Sequence, residues 1–71
     1  MNPNTVKAYD VAQVHIDGQW MDYATLRTKS DLDALKAQVR RRGDWSSFCI
    51  LCADRTATVD LYDAQWQEGE E

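Results

Sequence analysis

Two cysteines three positions apart, Cys49 and Cys52, are the first candidates for chemistry in this chain. The Cys-x-x-Cys spacing is that of a redox dithiol or of half a zinc site. A redox pair needs its first thiol at a helix N-terminus, where the dipole lowers the pKa. Here both cysteines fall within Phe48-Cys49-Ile50-Leu51-Cys52-Ala53, an apolar run that reads as a strand. Strand side chains alternate, so positions three apart point to opposite faces and cannot bridge or share a metal. Zinc asks for four ligands, and the other donors are His15 and carboxylates. Both cysteines therefore read as small buried apolar residues. No metal and no cofactor is expected.

His15 is the lone histidine. Nucleophilic catalysis would pair it with a Ser or Cys and an orienting carboxylate. Ser30, Ser46 and Ser47 stand in no Gly-flanked nucleophile turn, so His15 reads as a cross-strand neighbour of Trp20. Paired carboxylates occur at Asp31 and Asp33, Asp60 and Asp63, and Asp10 and Asp22. A hydrolase also needs a cleft, and 71 residues barely form one beside a core. These acids read as solvated side chains, and no catalytic residue is assigned. Arg40-Arg41-Arg42 is the one basic cluster. It suits a helix C-terminus, where cations complement the macrodipole, better than it makes a nucleic-acid site.

The elements that position these residues are legible in outline. Val11, Val14 and Ile16 precede Asp17-Gly18, and Trp20, Met21, Tyr23 and Leu26 follow, which is a strong hairpin signal. A two-residue loop would pair Ile16 with Gln19, His15 with Trp20 and Val14 with Met21. Ala12, Val14, Ile16, Met21 and Tyr23 then form the core face, and Gln13, His15, Trp20 and Asp22 the other. A three-residue loop would shift this register, and the residues leave that choice open. Ser30 reads as an N-cap, with Asp31 and Asp33 in the first turn. Leu32, Leu35 and Val39 recur at helical spacing and Gly43 suits the C′ position, so the spacing predicts a helix over 31–42. The run near 45–53 predicts a strand central in its sheet. Ala57, Val59 and Leu61 alternate with Thr58, Asp60 and Tyr62, which predicts a half-buried strand. Residues 1–7 are expected to fray, and 67–71 to form a mobile acidic tail. Trp66 either packs back on the body or stays free.

The order β-β-α-β-β predicts one α+β domain over 1–71: a four-stranded antiparallel sheet with one helix on one face. So short a chain buries only about 60% of its unfolded surface, which makes support from a partner or a dimer interface valuable. No apolar stretch is long enough to span a bilayer, and the first residues lack the pattern of a signal peptide. A soluble, cytoplasmic protein is expected.

The net charge of −4 is unevenly spread. Residues 1–43 hold seven Lys/Arg against five Asp/Glu, whereas 44–71 hold one Arg against seven Asp/Glu. An acidic chain is a poor general nucleic-acid binder, because phosphate contacts dominate that affinity. A protein partner with a basic surface suits it better. Three Trp and three Tyr are many for this length. One helix cannot cover all of Trp20, Tyr62 and Trp66. Trp20 and Tyr62, beside Asp22 and Asp60, are expected on the helix-free face, where aromatics rimmed by acids form a protein-binding surface. The alternatives are a homodimer packing these faces together, or Trp66 covering them within one chain.

The short acidic chain, the Asp17-Gly18 hairpin, one capped helix from Ser30 and the ending Glu68-Gly69-Glu70-Glu71 together resemble small phage-encoded accessory proteins, including the anti-CRISPR inhibitors. The resemblance covers architecture and composition, not a motif. It implies a non-enzymatic, stoichiometric inhibitor that occupies a basic nucleic-acid-binding or assembly surface of a host complex. Asp54, Asp60, Asp63 and the tail acids would then face Lys/Arg on the target, with Trp20, Tyr62 or Trp66 as anchor. A structural homo-oligomer is the alternative from a different class.

Overall fold

The structure is a computed structural model that describes residues 4–54 and 56–67. Among them the chain forms strands β1 (Thr5–Val6), β2 (Asp10–Ile16) and β3 (Gln19–Leu26), helix α1 (Lys29–Arg42), then β4 (Phe48–Cys52), β5 (Ala57–Asp60) and β6 (Gln65–Trp66). Short 3-10 turns occupy Trp45–Ser47 and Leu61–Asp63. The main sheet has the order β3-β2-β4-β5 and is antiparallel throughout. It is the α+β arrangement expected from the β-β-α-β-β order, with α1 on one face. No helix among the described residues is long and apolar enough to cross a membrane.

The two-residue hairpin forms. Asp17 and Gly18 have φ of 51° and 80°, as a type I′ turn requires, and the register pairs Ile16 with Gln19, His15 with Trp20 and Val14 with Met21. A bulge then interrupts the ladder: Gln13 faces Asp22, Ala12 faces Ala24, and Tyr23 is the extra residue. The core face is shorter than expected. Ala12 is buried and Val14 packs against the core, but Ile16, Met21 and Tyr23 are half-exposed. The reason is sheet geometry. β4 pairs with β2 only from Val11 to Val14, so the hairpin tip with Ile16 extends past the rest of the sheet, while Met21 and Tyr23 lie on the edge strand β3.

The helix starts earlier than the Ser30 cap implies. Thr28 is the N-cap: its side chain accepts from the Asp31 N–H at 3.3 Å, and Asp31 Oδ2 accepts from the Arg27 and Thr28 N–H groups at 2.8 and 3.2 Å. This reciprocal box satisfies backbone donors that the first turn otherwise leaves open. Ser30 is the second helical residue, and Lys29 reaches Asp33 at 3.1 Å across one turn. At the far end Gly43, at φ 76°, donates to the Val39 carbonyl at 2.7 Å.

Leu32, Leu35 and Val39 of α1 pack on Ala12, Leu26, Phe48, Ile50, Cys52 and Val59 of the sheet, with Leu61 and Ala64 closing the core. Each large aliphatic side chain buried this way contributes about 1.5–3 kcal/mol. Residues Asn4–Lys7 do not fray. β1 lies parallel to β6, Val6 is 1% exposed within the core, and the Gln65 and Gln67 N–H groups donate to the Asn4 and Val6 carbonyls at 3.0 and 2.9 Å. Residues 1–3 and 68–71, including most of the expected mobile tail, lie outside the described residues. Asp10, 2% exposed, fastens this region. Its carboxylate accepts from the Lys7 N–H at 3.0 Å and from the Ala53 N–H at 3.3 Å, joining the start of β2 to the end of β4.

Candidate functional site: the helix-free sheet face

Side chains on one face of the sheet follow from the register. Gln13, Cys49 and Asp60 lie in one row across β2, β4 and β5, and Asp22 of β3 continues it. The row is stitched together: Gln13 Nε2 donates to Asp22 Oδ1 at 3.0 Å, and Cys49 Sγ–H donates to Gln13 Oε1 at 3.8 Å. The preceding and following rows, such as Ala12, Ile50 and Val59, point to the helix.

Three aromatic side chains rise around this row. Trp20 comes from β3 beside the hairpin turn and packs against His15 with centroids 4.9 Å apart. Trp45 and Tyr62 come from the two 3-10 turns that cap β4 and β5, and they meet edge to face at 5.1 Å. Between them lies a groove of about 440 Å³, also lined by Phe48, Cys49 and Asp60. Trp20 is 47% and Tyr62 67% exposed. Among the described residues the groove is lined by no Lys or Arg, and Asp60 has no ion-pair partner.

The chemistry of Cys49 follows from this setting. Burial raises its thiol above the ordinary value, and the neighbouring Asp60 carboxylate raises it further. That is the opposite of what a nucleophilic or metal-binding thiolate requires. Cys49 and Cys52 are both thiols, Cys49 on the helix-free side and Cys52 in the core, as strand alternation dictates. Among the described residues, no three His, Cys, Asp or Glu side chains group to hold a metal ion.

The residues singled out from the sequence divide. Trp20, Asp22, Asp60 and Tyr62 share the helix-free face, and Asp63 is exposed in the same turn as Tyr62. Asp54 is not with them. It sits beyond the opposite end of β4 and pairs with Lys7 at 2.8 Å. Trp66 is not with them either: it is half-buried on the helix side, against Leu32 and Lys36, whose Nζ donates to the Ala64 carbonyl. Trp66 therefore packs on the body without covering Trp20 or Tyr62. Two of the three carboxylate pairs are explained singly. Asp31 caps the helix, Asp33 meets Lys29, Asp10 is buried, and Asp22 accepts from Gln13. Arg42 reaches Asp44 at 3.4 Å.

Trp45 is the residue that sequence reasoning missed. Read as the start of the apolar strand, it gave no sign of a turn. Asp44-Trp45-Ser46-Ser47, polar around one aromatic just after the Gly43 cap, is the signal that a turn precedes the strand.

The molecule belongs to the class of two-layer α+β domains, with a sheet open on one face. No family model, curated protein or solved structure matches the chain.

Proposed function

We propose that this chain is a non-enzymatic protein-binding module whose helix-free sheet face docks on a basic surface of another protein. It acts as a stoichiometric inhibitor, of the anti-CRISPR-like phage accessory kind, by occupying a nucleic-acid-binding or assembly surface. The observation that carries this reading is the division of charge between layers. Five of the eight Lys and Arg residues, Lys29, Lys36, Arg40, Arg41 and Arg42, belong to α1, whereas Asp22 and Asp60 stand among exposed aromatics on the other side. Exposed Trp and Tyr beside these acids supply both an anchor and electrostatic steering toward a basic partner.

The test is a tagged pull-down from bacterial lysate at low and high salt, repeated with Asp60→Lys/Asp63→Lys. One dominant protein, retained at low salt and reduced at high salt, is expected. The double reversal should slow its association about tenfold or more. Unchanged binding of the variant at low salt would remove the electrostatic reading.

One feature favours a second reading, a homo-oligomer. β3 is an edge strand of eight residues, and all but Leu26 are exposed. A copy could pair along it across a two-fold axis. Light scattering over a dilution series separates the two: a mass that doubles with concentration supports pairing of copies.

A further inference from the structure

We infer that the groove between Trp20 and the Trp45–Tyr62 pair is a receptor for a single arginine side chain of the partner, its guanidinium stacked on the aromatic walls and held by the Asp60 carboxylate. This rests on the proposed binding face and names what that face recognises. Three observations converge on it. Aromatic side chains from three separate elements line the groove, Trp20 together with the edge-to-face Trp45–Tyr62 pair. The faces of indole and phenol rings carry negative potential and attract a cation placed over them. Asp60 adds a full negative charge at the same groove, with no ion-pair partner among the described residues. The groove thus combines two kinds of cation attraction and, among the described residues, is lined by no Lys or Arg. At about 440 Å³ the open groove has room for a guanidinium group.

Arginine fits this better than lysine. A guanidinium is flat, so it can stack on a ring while its edge donates two parallel N–H bonds to one carboxylate. It is also less strongly hydrated than an ammonium, so leaving water for a groove partly lined by aromatic side chains opposes binding less.

The experiment is a proton–nitrogen NMR titration of the intact chain with capped arginine, capped lysine and capped citrulline, the neutral isostere of arginine. The indole N–H signals of Trp20 and Trp45 report on the groove, and that of Trp66, on the helix side, is the internal control. Capped arginine should shift the first two saturably at low salt and leave Trp66 unmoved, and citrulline should shift neither. Asp60→Asn, an exposed substitution outside the core, should weaken arginine binding roughly five- to tenfold. Tyr62→Ala should weaken it roughly two- to fivefold. Equal shifts with citrulline, stronger binding of lysine, or no indole response would overturn the proposal. So would indole shifts that follow the protein's own concentration and vanish in Arg40→Ala/Arg41→Ala/Arg42→Ala, since the occupant would then be a second copy. The binding-module reading fails separately. A partner that is captured, and lost on Trp20→Ala, with no arginine response removes only the arginine receptor.

Discussion

On the helix side of the sheet, Ala12, Ile50 and Val59 are shut away from water. One residue further along each strand, Gln13 is half-buried and Asp60 is exposed. The same three strands thus present a dry face and a wet face, and the two are finished differently. The dry face is closed by aliphatic side chains of α1. The wet face is bordered by Trp20 of β3 and by Trp45 and Tyr62 on turns, with Asp60 and no Lys or Arg among the described groove residues. The difference teaches that stability and recognition are separated by strand parity. Substitutions one residue apart should therefore have effects of different kind as well as size.

The largest expected effect tests that separation directly. Ile50→Ala removes a fully buried side chain at the centre of the sheet and should cost about 2–5 kcal/mol in urea denaturation. A domain of this length holds roughly 4–10 kcal/mol in total, so the variant should approach unfolding at room temperature. Thr58→Ala, one position from Val59 on the opposite parity, should change stability by no more than about 0.5 kcal/mol. Comparable losses at the two positions would break the comparison.

Asp10→Ala comes next. Asp10 is a buried acid on the dry side, and its carboxylate serves two backbone N–H groups, those of Lys7 and Ala53. Leaving both without an acceptor should cost about 1–3 kcal/mol, read from the denaturation midpoint. Asp22→Ala and Asp60→Ala, acids of the wet face, should fall well below that. The helix cap gives a smaller and sharper contrast. Thr28→Ala should cost about 1 kcal/mol, and Ser30→Ala no more than about 0.5 kcal/mol. The reverse order would return the cap to Ser30.

These contrasts also mark where local residue chemistry suffices to read the fold and where it does not. Asp17-Gly18 and Gly43 were legible because positive φ is a local demand that few residues meet, and each is met there. The helix body was legible from Leu32, Leu35 and Val39. Its start was not, because Thr28-x-x-Asp31 and Ser30-x-x-Asp33 are overlapping frames of the same type, and apolar spacing does not choose between them. The Tyr23 bulge was hidden because its side chain still reaches the helix side, where the ring packs on Phe48 at 5.6 Å and the hydroxyl accepts from Gln38 Nε2 at 3.1 Å. The pairing of β1 with β6 joins two-residue segments 60 positions apart, too short for periodicity to register. In the site, parity placed Trp20, Asp22 and Asp60 on one face. Trp45 and Trp66 depend on how turns swing out of the sheet, which alternation does not encode.

The smallest effect bears on the wet face itself. In the folded chain the Cys49 thiol is held protonated by burial first and by the Asp60 carboxylate second. The unfolded chain ionises its thiols at the ordinary value, so between that value and the folded one the native state binds more protons. Stability contributed by this group is therefore complete below the ordinary thiol pKa and is lost as pH rises toward the raised one. Asp60→Asn removes the electrostatic part and leaves the burial. The pH profile of Cys49 alkylation should then move to lower pH while staying above that of a free thiol, and the alkaline loss of stability should begin over a narrower window. A profile that does not move would mean that the Asp60 charge is not felt at Cys49. In that case the charge is screened at this face, which counts against the acidic half of the proposed arginine receptor.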